Sequence, residues 1–431
     1  MKPLGTLLIA VSFFSVSFFL GGYGQKKVAV KESSDSMQAS VFFAESTSAT
    51  HLRDVFNSAT STKRKLKILI VPGHESDYGG AEYLNIKERD LNADLGLVLA
   101  QYLVQDGHYD VLITRGREEW SPALAEYFAN HADEIKTFIL SQKAEMAKLV
   151  EEGKMSTMSN ALPHNSAPSD VALRLFGINK WANDHKVDIV IHIHFNDSSP
   201  RRNGVPGEYN GFTIYTPEHQ YSNAEASHAV AESVFNRLSK MFPVSSLPGE
   251  DRGLVEDQDL IAIGNSNTVD AASILIEYGY IYEPQLQTTE VREHILKELA
   301  FQTYLGLTDF FGETPLVVGP YQSTLLPYSG KTEVRKTAHS NSKVLSLQAA
   351  LLDKGFYPPE NYTKNDCPLS GVFGKCTRSA VTSFQKEFEI KGEDGVVGAK
   401  TRSQLRSLFQ PTLMSVEISP FKSLTTKKRA P

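Results

Sequence analysis

The segment Ile68–Asn92, ILIVPGHESDYGGAEYLNIKERDLN, limits what this chain can fold into more than any other. Its apolar start, Ile68 to Val71, reads as a buried strand, and Pro72-Gly73 stops it so that His74 emerges just past the strand's carboxyl end. Open α/β sheets keep their sites at that edge. Asp77, Gly79 and Gly80 follow as a loop, and Glu88 opens a run in which Leu91, Leu95, Val98, Leu99 and Leu103 recur at helical spacing. The spacing therefore predicts a carboxylate at a helix start, facing the same crevice as His74. A metal-ligand pair can be built from two such residues.

Further along, Tyr109–Thr114 (YDVLIT) reads as a second strand ending in Arg115. From Trp120 to about Ser159, the residues Leu124, Tyr127, Phe128, Ile135, Phe138, Ile139, Met146, Leu149 and Val150 form a helical stripe. Ser169–Asn183 directs Leu173, Phe176 and Trp181 to a core. Asp188–Phe195 (DIVIHIHF) is a strand whose period of two puts His192 and His194 on one face, so either imidazole can point at a metal. Asn196 begins the turn after it. Gly211–Tyr215 is another strand, Asn223–Met241 a helix, and Ala272–Glu277 (ASILIE) a last strand. A carboxylate ending so apolar a strand is costly unless it is paired or functional. Glu290–Phe310 predicts a final helix covering the sheet.

Four ordered segments carry a resemblance: Pro72-Gly73-His74, Glu88-Arg89-Asp90-Leu91-Asn92, Ile193-His194-Phe195-Asn196 and Glu277-Tyr278-Gly279-Tyr280. Together they resemble the zinc-dependent N-acetylmuramoyl-L-alanine amidases of the amidase 3 family, and Asp251-Arg252-Gly253-Leu254 is similar to that family's R-G segment. Departures are Val71 and Glu75 in the first turn, His192 where the family favours Ser, and Tyr280 for Phe. The resemblance implies an α/β fold, a mixed twisted sheet flanked by helices. It implies one Zn²⁺ held by His74, Glu88 and His194 with a fourth position open, which is a catalytic rather than a structural arrangement. Glu277 is implied as the base that takes the attacking water's proton. Asn196, Arg115, Arg252 and His192 are expected around substrate or behind the ligands. No G-x-S-x-G elbow is present, and neither cysteine has a catalytic setting.

The bond implied is the amide between N-acetylmuramic acid and L-alanine in peptidoglycan. A zinc peptidase cutting stem peptides and a non-catalytic wall-binding protein are the competing readings. The stretch at about 118–160 has no counterpart in the compact family pattern; it is either a helix pair that packs on the domain or a lid over the cleft. Whether an activator protein governs the enzyme stays open.

Residues 1–24 combine Lys2 with an apolar run from Leu7 to Leu20, the pattern of a signal peptide or amino-terminal anchor, and imply export. Membrane contact is expected only through that segment, if uncleaved. Residues 25–65, rich in Ser and Thr, are expected as a disordered linker, followed by a catalytic domain over 66–312 and a second linker over 313–341. Residues 342–410 contain a repeat, Gly371-Val-Phe-Gly-Lys-Cys-Thr377-Arg-Ser and Gly395-Val-Val-Gly-Ala-Lys-Thr401-Arg-Ser. Here glycines shape a turn and each threonine is expected to cap a helix. This region resembles peptidoglycan-binding domain 1, which implies a small all-α module of three helices, and a basic tail follows over 411–431. Cys367 and Cys376 form a disulfide in an oxidising compartment or remain two buried thiols. A net charge of -6 argues against nucleic acid as a partner.

Overall fold

The computed structural model describes residues 47–62, 64–158, 167–198, 201–313, 323–330, 334 and 339–409. The amino-terminal apolar segment, most of the first linker and the basic tail lie outside the described residues. By contacts the chain divides into two compact units: residues 1–324 with 362–370, and residues 325–361 with 371–431.

The elements of the first unit run α1 (Ala49–Thr62), β1 (Leu66–Pro72), β2 (Glu82–Tyr83), β3 (Ile86–Lys87), α2 (Glu88–Asp106), β4 (Tyr109–Ile113), α3 (Pro122–Asn130), α4 (Ala132–Glu151) and α5 (Ser169–Asp184). They continue with β5 (Ile189–Asn196), β6 (Thr213–Pro217), α6 (Ala224–Met241), β7 (Leu254–Asp257), β8 (Ala272–Tyr280), α7 (Pro284–Gln287) and α8 (Thr289–Phe311). Six strands form one mixed sheet in the order β4-β1-β5-β8-β6-β7. Strands β4, β1, β5 and β8 are mutually parallel, whereas β6 runs antiparallel to β8. Strands β1, β5 and β8 are buried on both faces, which explains their near-continuous apolar runs.

Alternation divides those runs between two cores. Leu69, Val71 and Val190 join Phe176 and Trp181 of α5. On the other face α2 lies against the sheet, where a Cβ added to Gly96 would sit within 3.5 Å of Pro72, Ile70 and Ile193. Helices α2, α6 and α8 pack together on that side. The helical stripe of 118–160 becomes α3 and α4, and Leu124, Tyr127 and Ile135 insert into the α5 core. Among the described residues, no helix is long and apolar enough to cross a membrane.

The expected disordered linker contains a helix instead. Ala49, Leu52, Val55 and Phe56 of α1 share one face and are all buried, so this segment carries enough apolar surface to order its last stretch. The polar residues between them, Ser and Thr among them, masked that stripe in the composition.

Among its described residues the second unit has three helices, α9 (Ser342–Asp353), α10 (Lys375–Glu387) and α11 (Ala399–Ser407). The sequence repeat is a repeat of hydrogen bonds. Buried Gln348 donates to Val372 O and Thr377 Oγ1 and accepts from Gly371 N, while Gln385 donates to Val396 O and Thr401 Oγ1 and accepts from Gly395 N. The threonines do not cap their helices as expected. Gly374 and Gly398 hold the cap positions, and each threonine sits inside the first turn, where it anchors a glutamine. Gly371 and Gly395 adopt φ near +70°, the left-handed region that glycine tolerates. Neither cysteine is a free thiol: Cys367 and Cys376 are disulfide-bonded.

Candidate metal centre and active site

Three side chains from separate segments meet at the carboxyl edge of the sheet. His74 follows β1, Glu88 is the first residue of α2, and His194 lies near the end of β5. His74 Nε2 is 2.9 Å and His194 Nδ1 3.2 Å from Glu88 Oε1. One ligand atom from each residue lies within 4.8 Å of the others, a set able to hold a metal ion. The two rings stand edge to face with centroids 5.0 Å apart.

The backbone is closely fitted around this set. His74 itself has φ +64°, a left-handed conformation that costs on the order of 1–3 kcal/mol in a residue with a side chain. A Cβ on Gly73 would lie 2.2 Å from His194 Cε1, and one on Gly80 would lie 2.9 Å from His74 Cδ2 and 3.1 Å from Glu88 Oε2. Both glycines are thus required by close approach. Glu88 Oε2 accepts from Ala81 N at 2.7 Å, and Phe195 N approaches Oε1 at 3.2 Å. Burial pushes the Glu88 carboxyl up, yet the His74 charge and the hydrogen bonds from His194 and His74 outweigh it and hold the group far below the usual carboxylate range. An anionic Glu88 and a His194 lowered by burial suit a divalent cation, which needs deprotonated ligands.

Glu277 stands beside this set, in register with His194 across the parallel β5–β8 ladder. Its Oε2 is buried and has no hydrogen-bond partner among the described residues. Burial, then the charges of Glu88 and Glu250, push its carboxyl well above the usual range. The donor set, the glycine cradle and this orphaned oxygen fit a hydrolytic metal centre with a base at its rim.

The remaining expected residues separate. His192, on the same face one pleat deeper, is 1% exposed, and burial followed by the His194 charge lowers it to about 3. It therefore stays neutral and packed, outside the ligand set. Arg115 does not face the cleft: it is fully buried, and its guanidinium donates to the carbonyls of Pro72, Gly73, His74, Arg89 and Gly116. Asn196 Nδ2 donates to Glu250 Oε1 at 3.2 Å. Arg252 is exposed and lines a surface cavity of about 490 Å³, whose lining includes none of His74, Glu88, His194 and Glu277. Glu75, the added carboxylate of the first turn, is gripped by both arms of Arg174 from α5.

Two residues had no assigned role in the sequence. Asn92 is fully buried and donates to Gly73 O at 3.1 Å and toward Glu88 Oε1 at 3.4 Å, tying α2 to the turn that carries His74. Its position one turn after Glu88 was the available signal. Glu250, 1% exposed, accepts from Tyr215 Oη at 2.6 Å, Ser245 Oγ at 2.5 Å, Tyr280 Oη at 3.3 Å and Asn196. No local pattern marks it, since its partners come from four segments.

The family model described as N-acetylmuramoyl-L-alanine amidase matches residues 68–309, and one described as a putative peptidoglycan binding domain matches residues 340–405. Among solved structures, the chain is similar to an N-acetylmuramoyl-L-alanine amidase from Clostridium difficile 630 at 17% identity, covering 58% of this chain and 98% of that one, with a TM-score of 0.36. Amidase AmiC2 of Nostoc punctiforme is 18% identical over 58% of this chain and 99% of its own, with a TM-score of 0.34. Amidase Ami1 from Mycobacterium smegmatis is 15% identical over 58% and 98%, with a TM-score of 0.37. A search of curated proteins returned no match. The family match spans more than half of the chain and contains the whole His74–Glu88–His194–Glu277 cluster: the chain belongs to the N-acetylmuramoyl-L-alanine amidase family, Amidase_3.

Proposed function

We propose that His74, Glu88 and His194 hold one Zn²⁺ and that Glu277 is the catalytic base of this peptidoglycan amidase. The observation that carries this reading is the meeting of two imidazoles and a carboxylate within 4.8 Å, beside a carboxylate oxygen left without a partner. When bound, zinc in such a site polarises the scissile carbonyl and lowers the pKa of its water to about 7.

The side chains do the rest. Glu277 takes a proton from the attacking water as oxygen bonds to the lactyl carbonyl carbon of N-acetylmuramic acid, and returns it to the amide nitrogen as the carbon–nitrogen bond breaks. The stem peptide leaves with a free L-alanine amino group, and the lactyl group keeps the new carboxylate. A carboxyl with raised proton affinity suits a group that must both accept and give back a proton near neutral pH. Arg115 and Asn92 hold the His74 turn by its carbonyls, so that the ligand stays in place through turnover.

Cutting peptidoglycan is work done outside the cytoplasm, at the cell wall, and an export segment at 1–24 fits that location. The helical module of residues 342–410 tethers the enzyme to its insoluble substrate and raises the local concentration of sites through linkage. Remodelling, separation or lysis of the wall are the processes such cleavage serves.

Metal analysis and muropeptide digestion of wild type and Glu277→Gln test the assignment. The variant keeps its zinc and loses roughly 10²–10⁴-fold in rate, the contribution of general acid–base catalysis. Near-normal digestion by the variant removes Glu277 from the mechanism, and wild-type activity that survives complete chelation removes the metal.

A further inference from the structure

A second group of metal-binding side chains lies at the other end of the sheet. Helix α2 ends at Asp106 with Gly107 at φ +88°, and α8 ends at Phe311 with Gly312 at φ +73°. Each left-handed glycine turns the chain so that the next residue, His108 or Glu313, reaches the same corner at the start of β4. Asp106 Oδ1 is 2.7 Å from His108 Nδ1, and Glu313 Oε2 is 3.8 Å from the same nitrogen. One ligand atom from each of the three lies within 4.8 Å of the others.

Three further observations favour a cation there. Tyr304 Oη donates to Asp106 Oδ2 at 2.7 Å and fixes the carboxylate with Oδ1 turned toward His108, as outer partners do for metal ligands. Tyr109 is 3% exposed, yet its hydroxyl has no hydrogen-bond partner among the described residues. Its ring stays at this corner, where Phe56 packs against both His108 and Tyr109 with centroids 5.3 and 5.7 Å away. Finally, two helix carboxyl ends converge at this corner, and each presents about half a negative charge.

We propose that Asp106, His108 and Glu313 form a second divalent-cation site, with the Tyr109 hydroxyl behind it, that staples the end of α8 to the α2–β4 corner. An imidazole with two carboxylates selects a transition cation such as Zn²⁺ over Mg²⁺ or Ca²⁺. The site is structural, on the edge of the sheet opposite the catalytic cluster, and its existence does not depend on the mechanism proposed above.

Equilibrium dialysis of the metal-stripped full chain against micromolar Zn²⁺, followed by metal analysis, tests it. Wild type takes up two ions per chain. His108→Ala combined with Glu313→Gln takes up one and still digests muropeptides, and His74→Ala combined with His194→Ala also takes up one and does not. Tyr109→Phe weakens the second ion about tenfold, the lower end of what loss of an outer partner costs. The proposal is overturned if the folded His108/Glu313 variant binds as many ions as wild type, whether that number is one or two. Because the two pairs of substitutions are read separately, failure at one site leaves the other result standing.

Discussion

His194 and Glu277 are register partners on adjacent parallel strands, so the pleat sets the proposed ligand and the proposed base side by side on one face of the sheet, at a strand spacing of about 4.8 Å. The His194 ring is held against the main chain of Gly73, where an added Cβ would lie 2.2 Å from Cε1 and Nε2. Gly73→Ala must therefore swing His194 away from Glu88. The expected outcome is a folded protein with reduced zinc content and muropeptide cleavage lower by about 10²-fold, the usual consequence of displacing a reacting group by an ångström. Full zinc content with an unchanged rate would show that the ring is free to sit elsewhere.

Glu250 ties together Asn196, Tyr215, Ser245 and Tyr280 and adds negative charge near Glu277. Glu250→Ala leaves buried donors unpaired and costs about 3 kcal/mol, a melting temperature lower by roughly 6–12 °C. Glu250→Gln keeps the shape and removes the charge. That charge raises the Glu277 carboxyl, and the base works only when deprotonated. In Glu250→Gln, then, the acid limb of the kcat/KM profile moves to lower pH. A limb that moves upward or stays fixed would separate Glu250 from the base.

Arg115 donates to five carbonyls around the His74 turn from a fully buried position. Lysine offers a single point of charge in place of that planar fork, so Arg115→Lys leaves several carbonyls unmet. Thermal melts should show a loss of about 2–3 kcal/mol, with weaker zinc retention because the turn that carries His74 loosens. A variant as stable and as well metallated as wild type would mean that water replaces the guanidinium without loss.

Much of the site was visible in the sequence because it sits where local signals are strong. Pro72-Gly73 ends an apolar run, so His74 is bound to fall at a strand end, and Glu88 begins a periodic helix. Glu277 stood out as a charge closing an apolar strand. Period alone left His192 and His194 equivalent, and the place of His194 at the strand's carboxyl end with the following Phe195-Asn196 separated them; the structure buries His192 one pleat deeper, away from His74 and Glu88. Glu250 carried no signal in the sequence, since its burial arises from partners in other segments. Helix α1 was hidden by Ser and Thr that outnumber Ala49, Leu52, Val55 and Phe56. Arg115 was expected around substrate or behind the ligands on family resemblance alone, and it takes the second place, its guanidinium held by backbone carbonyls of the His74 turn.

The α3–α4 insertion was ambiguous between a packed helix pair and a lid, and its contacts favour packing. Leu124, Tyr127 and Ile135 are buried in the same core as Leu69, Val71, Phe176 and Trp181. At about 1.5–3 kcal/mol for each large apolar side chain, those three contribute roughly 5–9 kcal/mol, comparable to the whole net stability of an ordinary domain. Deleting residues 119–159 should therefore give an unstable or insoluble protein rather than a faster enzyme. A gentler pair, Leu124→Ala and Ile135→Ala, should each cost about 2–5 kcal/mol and lower the melting temperature, while kcat per folded molecule stays at the wild-type value. If the deletion is instead soluble, cooperatively folded and quicker on muropeptides, the helices restrain the active site and the packing argument is wrong.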